Sequence, residues 1–159
     1  VAREIKIPLI AAGGIGTGRG MLAAMNLGAD GVQIGSRFVT SEESSAHQNF
    51  KEEVVSSGEG DTLLTLKELT PVRLLRNDFF NLIQKAYQRG DGKEELKNIL
   101  GRGRAKKGMF EGDLKEGELE IGQVSGLINS IKPASEILEE IIQEFRQAIK
   151  ESNSIKFYF

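Results

Sequence analysis

The chain has no cysteine and a single histidine, His47. That excludes a disulfide framework, thiolate metal ligands and a metal site built on several imidazoles within these residues. No run approaches the roughly 18 consecutive apolar residues that a membrane-spanning helix needs. Charge of one sign is also missing: the formal net charge is −2, which gives no general attraction to nucleic acid or to an anionic membrane. Tryptophan is absent, and Phe110 is the only aromatic residue near the one basic stretch, Gly101–Gly108. A stacking platform for single-stranded nucleic acid is therefore not expected. The lack of cysteine is compatible with a cytoplasmic setting, which is the location expected here.

Glycine, by contrast, is plentiful, and its placement is informative. Ile-Pro-Leu-Ile-Ala-Ala-Gly-Gly-Ile (7–15) and Gly-Val-Gln-Ile-Gly-Ser (31–36) are apolar, strand-like runs that end in glycine. Continuous apolarity in 7–12 predicts a strand buried on both faces. Between the two runs, residues 17–30 read as a helix, with Met21, Leu22, Met25 and Leu27 as packing positions and Gly28 as its cap. Residues 31–39 read as a second strand. Strand, helix and strand in that order, with backbone N–H groups at both strand ends, suit the grip of a phosphate. Gly13 and Gly14 would supply amides at the first end. Gly35 and Ser36 would supply two more and a hydroxyl at the second, with Gln33 on the same strand face. Gly16, Gly18 and Gly20 do not form a dinucleotide fingerprint, because they are spaced by two throughout.

Further along, residues 41–55 are expected to be helical, opened by Ser and Glu. Residues 56–61 form a turn and 62–66 an extended piece. Residues 71–77 lead into a helix over 78–89, whose face carries Phe79, Leu82, Ile83, Ala86 and Tyr87. A short helix over 93–100 precedes a basic loop, 101–113, whose cations are neutralised by Glu111, Asp113, Glu116, Glu118 and Glu120. Residues 122–131 are expected as a helix with Val124, Leu127, Ile128 and Ile131 on its apolar face. Pro133 opens the longest amphipathic stripe, Ile137 to Ile149, with Glu139, Glu140, Glu144 and Lys150 on the solvated side. The tail 153–159 ends in Lys-Phe-Tyr-Phe and either packs on a neighbour or stays disordered.

The runs 7–20 and 27–38 closely resemble the nitronate monooxygenase family, formerly 2-nitropropane dioxygenase, which includes the FMN-dependent enoyl-acyl carrier protein reductase II branch. Pro71-Val-Arg-Leu-Leu-Arg-Asn77 and Glu120-Ile-Gly-Gln-Val-Ser-Gly-Leu-Ile128 are similar to further family segments. The resemblance implies an α/β fold: the C-terminal part of a TIM (β/α)8 barrel with a mostly helical insertion. Residues 1–40 would be its last strand–helix–strand units, 41–132 the insertion, 133–152 a helix returning to the barrel and 153–159 a tail. With 159 residues against the roughly 250 of a complete barrel, and Val1 rather than Met at its start, the chain is expected to be the C-terminal part of a longer protein.

The same resemblance implies FMN as cofactor, with Gly14 at its phosphate and Gly13 beside it. Gln33, Ile34, Gly35 and Ser36 would line the flavin. Gln123 and Gly126 either close the pocket from the helical side or, for Gln123, simply serve as a polar residue at a helix start. The family's catalytic histidine belongs to a glycine-flanked motif that this chain lacks. His47 does not match it and is expected on a helix surface, so no catalytic residue and no metal ligand is assigned.

The activity implied is oxidation of alkyl nitronates with O2, with the fragment alone inactive. Two alternatives stand: NAD(P)H-dependent reduction of an enoyl thioester, or a phosphate-binding barrel fragment without activity. Distant barrels of the inosine-monophosphate dehydrogenase type share the glycine grip but not the 71–77 and 120–128 segments. The partners implied are a small-molecule substrate, the N-terminal remainder of the barrel and, as one possible assembly, a homodimer. Neither nucleic acid nor membrane is among them.

Overall fold

A computed structural model describes residues 3–154. Strands β1 (Ile10–Ala12) and β2 (Gly31–Gln33) pair in parallel, with Ile10 opposite Gly31 and Ala12 opposite Gln33. Helix α1 (Gly18–Asn26) connects them. Thr17 caps it by accepting a hydrogen bond from the Gly20 amide at 3.1 Å, and Gly28 leaves it with a φ of 102° that suits only glycine. Asp30 locks the unit: its carboxylate accepts from the Leu9 amide at 2.8 Å while its own amide donates to the Leu9 carbonyl at 2.8 Å.

Two expectations for this unit are corrected. The second strand stops at Gln33, and Ser36–Val39 forms a single helical turn, α2. The cause is Arg37, which is 7% exposed. Its guanidinium donates to Thr40 Oγ1 at 2.9 Å, an i to i+3 contact that a helical turn makes and an extended strand does not. It also donates to the Ser130 carbonyl at 3.1 Å. The expected burial of 7–12 is not met either: Ile7 is 73% and Ile10 53% exposed. A parallel strand is buried only when layers cover both faces, and among the described residues the two-stranded sheet has no such cover.

The last helix, α6 (Ala134–Ser154), crosses α1 where Gly18 meets Ile141, Glu144 and Phe145, and its Ile137, Ile141 and Ala148 are buried. Leu138 and Ile149, expected in the same stripe, lie exposed. Glu144 is not a free solvated residue: its carboxylate accepts from the Gly18 amide at 2.8 Å, across the helix crossing. Glu140 pairs with Lys132 and lies 3.7 Å from Arg37.

The intervening residues organise around a second sheet. Strands β3 (Thr62–Thr65) and β4 (Val72–Leu75) form an antiparallel hairpin, and residues 119–121 run along the other edge of β4. There the Leu75 amide donates to the Leu119 carbonyl at 3.0 Å and the Ile121 amide to the Arg73 carbonyl at 3.2 Å. Alternation along these strands divides two cores. Leu74 joins Phe79, Phe80, Ile83 and Leu96 on one side, whereas Leu75, Leu119 and Ile121 join Phe50, Val54 and Ile128 on the other. Helices α4 (Asp78–Arg89) and α5 (Lys93–Leu100) cover the first core. On α4, Leu82 is exposed and Phe80 takes the buried place.

Helix α3 (Gln48–Ser56) begins later than the Ser/Glu run suggested, with His47 as its cap: His47 Nδ1 accepts from the Asn49 amide at 3.1 Å. The run itself has other tasks. Glu43 accepts from the Ala134 amide at 2.8 Å and so caps α6, while buried Lys51 donates to the Ser41 and Glu42 carbonyls. The basic loop contains a turn of π-helix, Lys106–Phe110, and three of its four cations are paired: Lys106 with Glu111, Lys107 with Asp113 and Arg104 with Glu116. The expected helix over 122–131 is only a 3-10 turn, Gln123–Leu127, with Leu127 exposed. Gly126 sits so close to the 58–59 backbone, 3.2 Å from an added Cβ, that the segment is held against that turn instead of continuing as a helix. The Lys-Phe-Tyr-Phe end of the tail lies outside the described residues. No helix among the described residues is long and apolar enough to cross a membrane.

Glu118, 8% exposed beside the first core, carries a pH consequence. Burial, and secondarily the Glu120 carboxylate, raise its carboxyl to about 7, with Arg104 opposing. A folded-state value above the ordinary 4.5 means the native state holds this proton more tightly. Its stabilisation is complete below the ordinary value and is lost as pH rises towards 7. We expect a loss of about 1–2 kcal/mol once solvent screening is allowed for. In the full-length protein Glu118→Gln should flatten that slope and melt higher than the wild type at pH 8. Parallel melting curves at pH 5 and pH 8 for the two proteins would contradict it.

Candidate functional site

The ends of β1 and β2 meet at one cavity of about 250 Å³, lined by Ala12, Gly13, Gly14, Gln33, Gly35 and Ser36, with Ile15 and Val124 behind them. The sequence-predicted residues are thus brought together, with one exception: Ile34 does not line it. Gly13 and Gly14 have φ values of 92° and 70°, which L side chains rarely adopt. A Cβ added at Gly13, Gly14 or Gly35 would meet nothing within 4 Å. Gly13 and Gly14 are needed for backbone conformation, and all three glycines for the open approach they leave, not for close packing. Among the described residues the Gly14 and Ser36 amides donate to no other group.

Packing fixes the cavity from behind. The Gly122 amide donates to Ser36 Oγ at 3.2 Å, so the hydroxyl tethers the 122–127 segment and keeps its own hydrogen for another acceptor. A Cβ on Gly122 would come within 2.8 Å of that oxygen, and one on Gly16 within 2.7 Å of Val124 Cγ2. Val124 therefore projects from the 3-10 turn against Gly16, just beyond the end of β1.

On the far side of Val124 lies a larger cleft of about 620 Å³. Gly14, Thr62, Arg73, Gln123, Val124 and Gly126 line it. Gly14 and Val124 belong to both spaces, so cradle and cleft adjoin. Gln123 and Gly126 face the cleft, not the smaller cavity. Thr62 and Arg73 were not singled out in the sequence, because the hairpin and the 3-10 turn approach each other only in the fold. The one available signal was the Pro-Val-Arg segment, to which no role attached. His47 is far from serving either space: it caps α3, and its ring lies against Gly112.

Chemically, open amides at glycine-rich strand ends, with no cation among them, suit a phosphate held by backbone dipoles. The two adjoining spaces lie in the size range of a small-molecule or cofactor site. A phosphate-bearing cofactor fits this donor set, and a metal ion does not. The fold and site thus define an α/β protein whose glycine-rich strand ends converge on one open cavity.

Comparison with known proteins gives the family. A model of the nitronate monooxygenase family matches residues 1–144. A probable nitronate monooxygenase of Staphylococcus saprophyticus is 34% identical over 143 residues, which cover 89% of this chain and 39% of that protein. The structure of FabK from Thermotoga maritima superposes with a TM-score of 0.89 at 41% identity, over 97% of this chain and 49% of that one. A nitroalkane oxidase from Streptomyces ansochromogenes does so with a TM-score of 0.69 at 28% identity, over 92% and 42%. This chain belongs to the nitronate monooxygenase family, a family of flavin-dependent oxidoreductases. It spans half or less of the length of these relatives.

Proposed function

We propose that the whole protein is an FMN-dependent (β/α)8-barrel oxidoreductase that oxidises alkyl nitronates with O2, and that this chain supplies the barrel end that binds the FMN phosphate. The observation that carries the reading is the convergence of Gly13, Gly14, Gly35 and Ser36 on one cavity. In this reading the Gly14 and Ser36 amides and the Ser36 hydroxyl hold the phosphate. Gly13 keeps the approach clear of side chains, and Gln33 faces the ribityl or ring edge. Ile34 would then act only by backing the strand. Bound FMN supplies the electron transfer itself. No residue here is assigned as catalytic base; that group belongs to the remainder of the barrel. The same remainder would cover Ile7 and Ile10, whose exposure suits strands flanked by further strands and helices.

Reduction of an enoyl thioester by NAD(P)H would use the same barrel end, and anaerobic bleaching of the flavin in the full-length protein separates the two. Ethyl nitronate alone is expected to bleach it. Bleaching by NAD(P)H and not by nitronate would move the activity to enoyl reduction. A purified protein with no flavin would leave only a phosphate-binding barrel.

A further inference from the structure

We propose that the cleft on the far side of Val124 is a second anion subsite, with Arg73 as its cation, and that it takes an oxyanion of the reacting partner and not the phosphate of the flavin. Arg73 projects from β4 on the face it shares with Thr62 and Leu64 of the hairpin. Its Nη1 is pinned by the Thr62 carbonyl at 2.8 Å and lies 3.3 Å from Thr62 Oγ1. Among the described residues it has no carboxylate partner, unlike Arg104, Lys106 and Lys107, which are paired. Fixing one nitrogen to neutral acceptors orients the planar fork without neutralising it. The rest of the fork is then free to meet an oxyanion bidentately.

The surroundings agree with an anion in this place. Gln123 and Thr62 bring neutral polar groups to the same wall, and Gly126 keeps the opposite wall close to the 58–59 backbone. Among the described residues Glu59 is the one acid lining the cleft, and it is exposed, where water screens it. The cleft adjoins Gly14 but holds a separate charge, so it extends the cradle and does not duplicate it. An alkyl nitronate and a nicotinamide-nucleotide phosphate share the chemistry required, a small oxyanion accepting from a guanidinium. The assignment to the reacting partner rests on the function proposed above, whereas anion binding at Arg73 does not.

The test titrates the flavin-loaded full-length enzyme with inorganic phosphate by calorimetry and compares Arg73→Gln with wild type. Wild type should bind one phosphate per chain, and Arg73→Gln should bind it at least tenfold more weakly while keeping its flavin. The Michaelis constant should rise by a similar factor, with kcat within about threefold. A rise for ethyl nitronate assigns the oxyanion to the substrate, and a rise for NAD(P)H assigns it to the nucleotide. Should the glutamine variant not fold, Arg73→Lys keeps the charge without the fork and should weaken binding three- to tenfold. Equal phosphate affinity in variant and wild type would overturn the subsite. So would loss of flavin from Arg73→Gln, which would place the arginine in the first cradle. If the protein carries no flavin, two phosphates should bind, one lost in Gly14→Val and the other in Arg73→Gln. That outcome would sink the FMN reading and leave the second subsite standing.

Discussion

Gly18→Ala should destabilise the intact enzyme by about 3 kcal/mol or more, although alanine is the better helix former by roughly 1 kcal/mol. A Cβ at Gly18 would lie 2.2 Å from the Phe145 amide nitrogen, 2.3 Å from the Ile141 carbonyl oxygen and 2.6 Å from Glu144 Cβ. Two of these are backbone atoms of α6, so no side-chain rotation relieves the overlap and α1 must move away. That movement would also break the hydrogen bond from the Gly18 amide to Glu144. At about 2–4 °C per kcal/mol for roughly 150–250 residues, and less in the longer intact protein, melting should fall by several degrees. Gly20→Ala is the internal control: its nearest neighbour is Thr17 Oγ1 at 3.4 Å, so the helix propensity gain should survive. Equal melting temperatures for the two variants would show that the α1–α6 contact is looser than described.

Gly14→Val should lower flavin affinity at least a hundredfold while leaving the fold in place. Nothing lies within 4 Å of an added Cβ, so no packing is disturbed. The penalty comes instead from the φ of 70°, about 1–2 kcal/mol for an L residue, and more for a β-branched one. Relieving it rotates the peptide units whose amides face the cavity. Gly90→Val separates strain from site: Gly90 has a φ of 77° and an equally open Cβ position, but it caps α4 away from the cradle. Flavin absorbance per protein should be lost in the first variant and kept in the second. Loss in both would mean that general backbone strain, and not the cradle, decides flavin retention.

The contrast between these two glycines shows what the sequence disclosed and what it hid. Gly13, Gly14 and Gly35 close apolar runs, and a local reading places them at strand ends. Helices α4 and α5 were likewise legible to their last residues, because Asn77, Gly90 and Gly101 are caps set by local chemistry. Gly18 resembled its neighbours Gly16 and Gly20, and only the crossing with α6 distinguishes it. The same holds for Arg37, whose partners lie at Ser130 and Glu140, and for Glu43, which caps a helix 91 residues away. Residues 122–131 carry a helical apolar pattern, yet the close approach of Gly126 to residues 58–59 and the tether of Gly122 to Ser36 leave room only for a 3-10 turn. Periodicity reports local preference and cannot register these long-range contacts. Arg73 escaped for a similar reason: whether a strand arginine has a carboxylate partner is settled by the neighbouring strands and turns.

The central claim is that the paired strand ends hold the FMN phosphate, and a crystal structure of the full-length protein with FMN tests it most directly. The phosphate oxygens are expected within hydrogen-bonding distance of the Gly14 and Ser36 amides, on the side of the cavity where Gly13 and Gly35 leave it open. A phosphate bound elsewhere, with those amides facing only solvent, would contradict it.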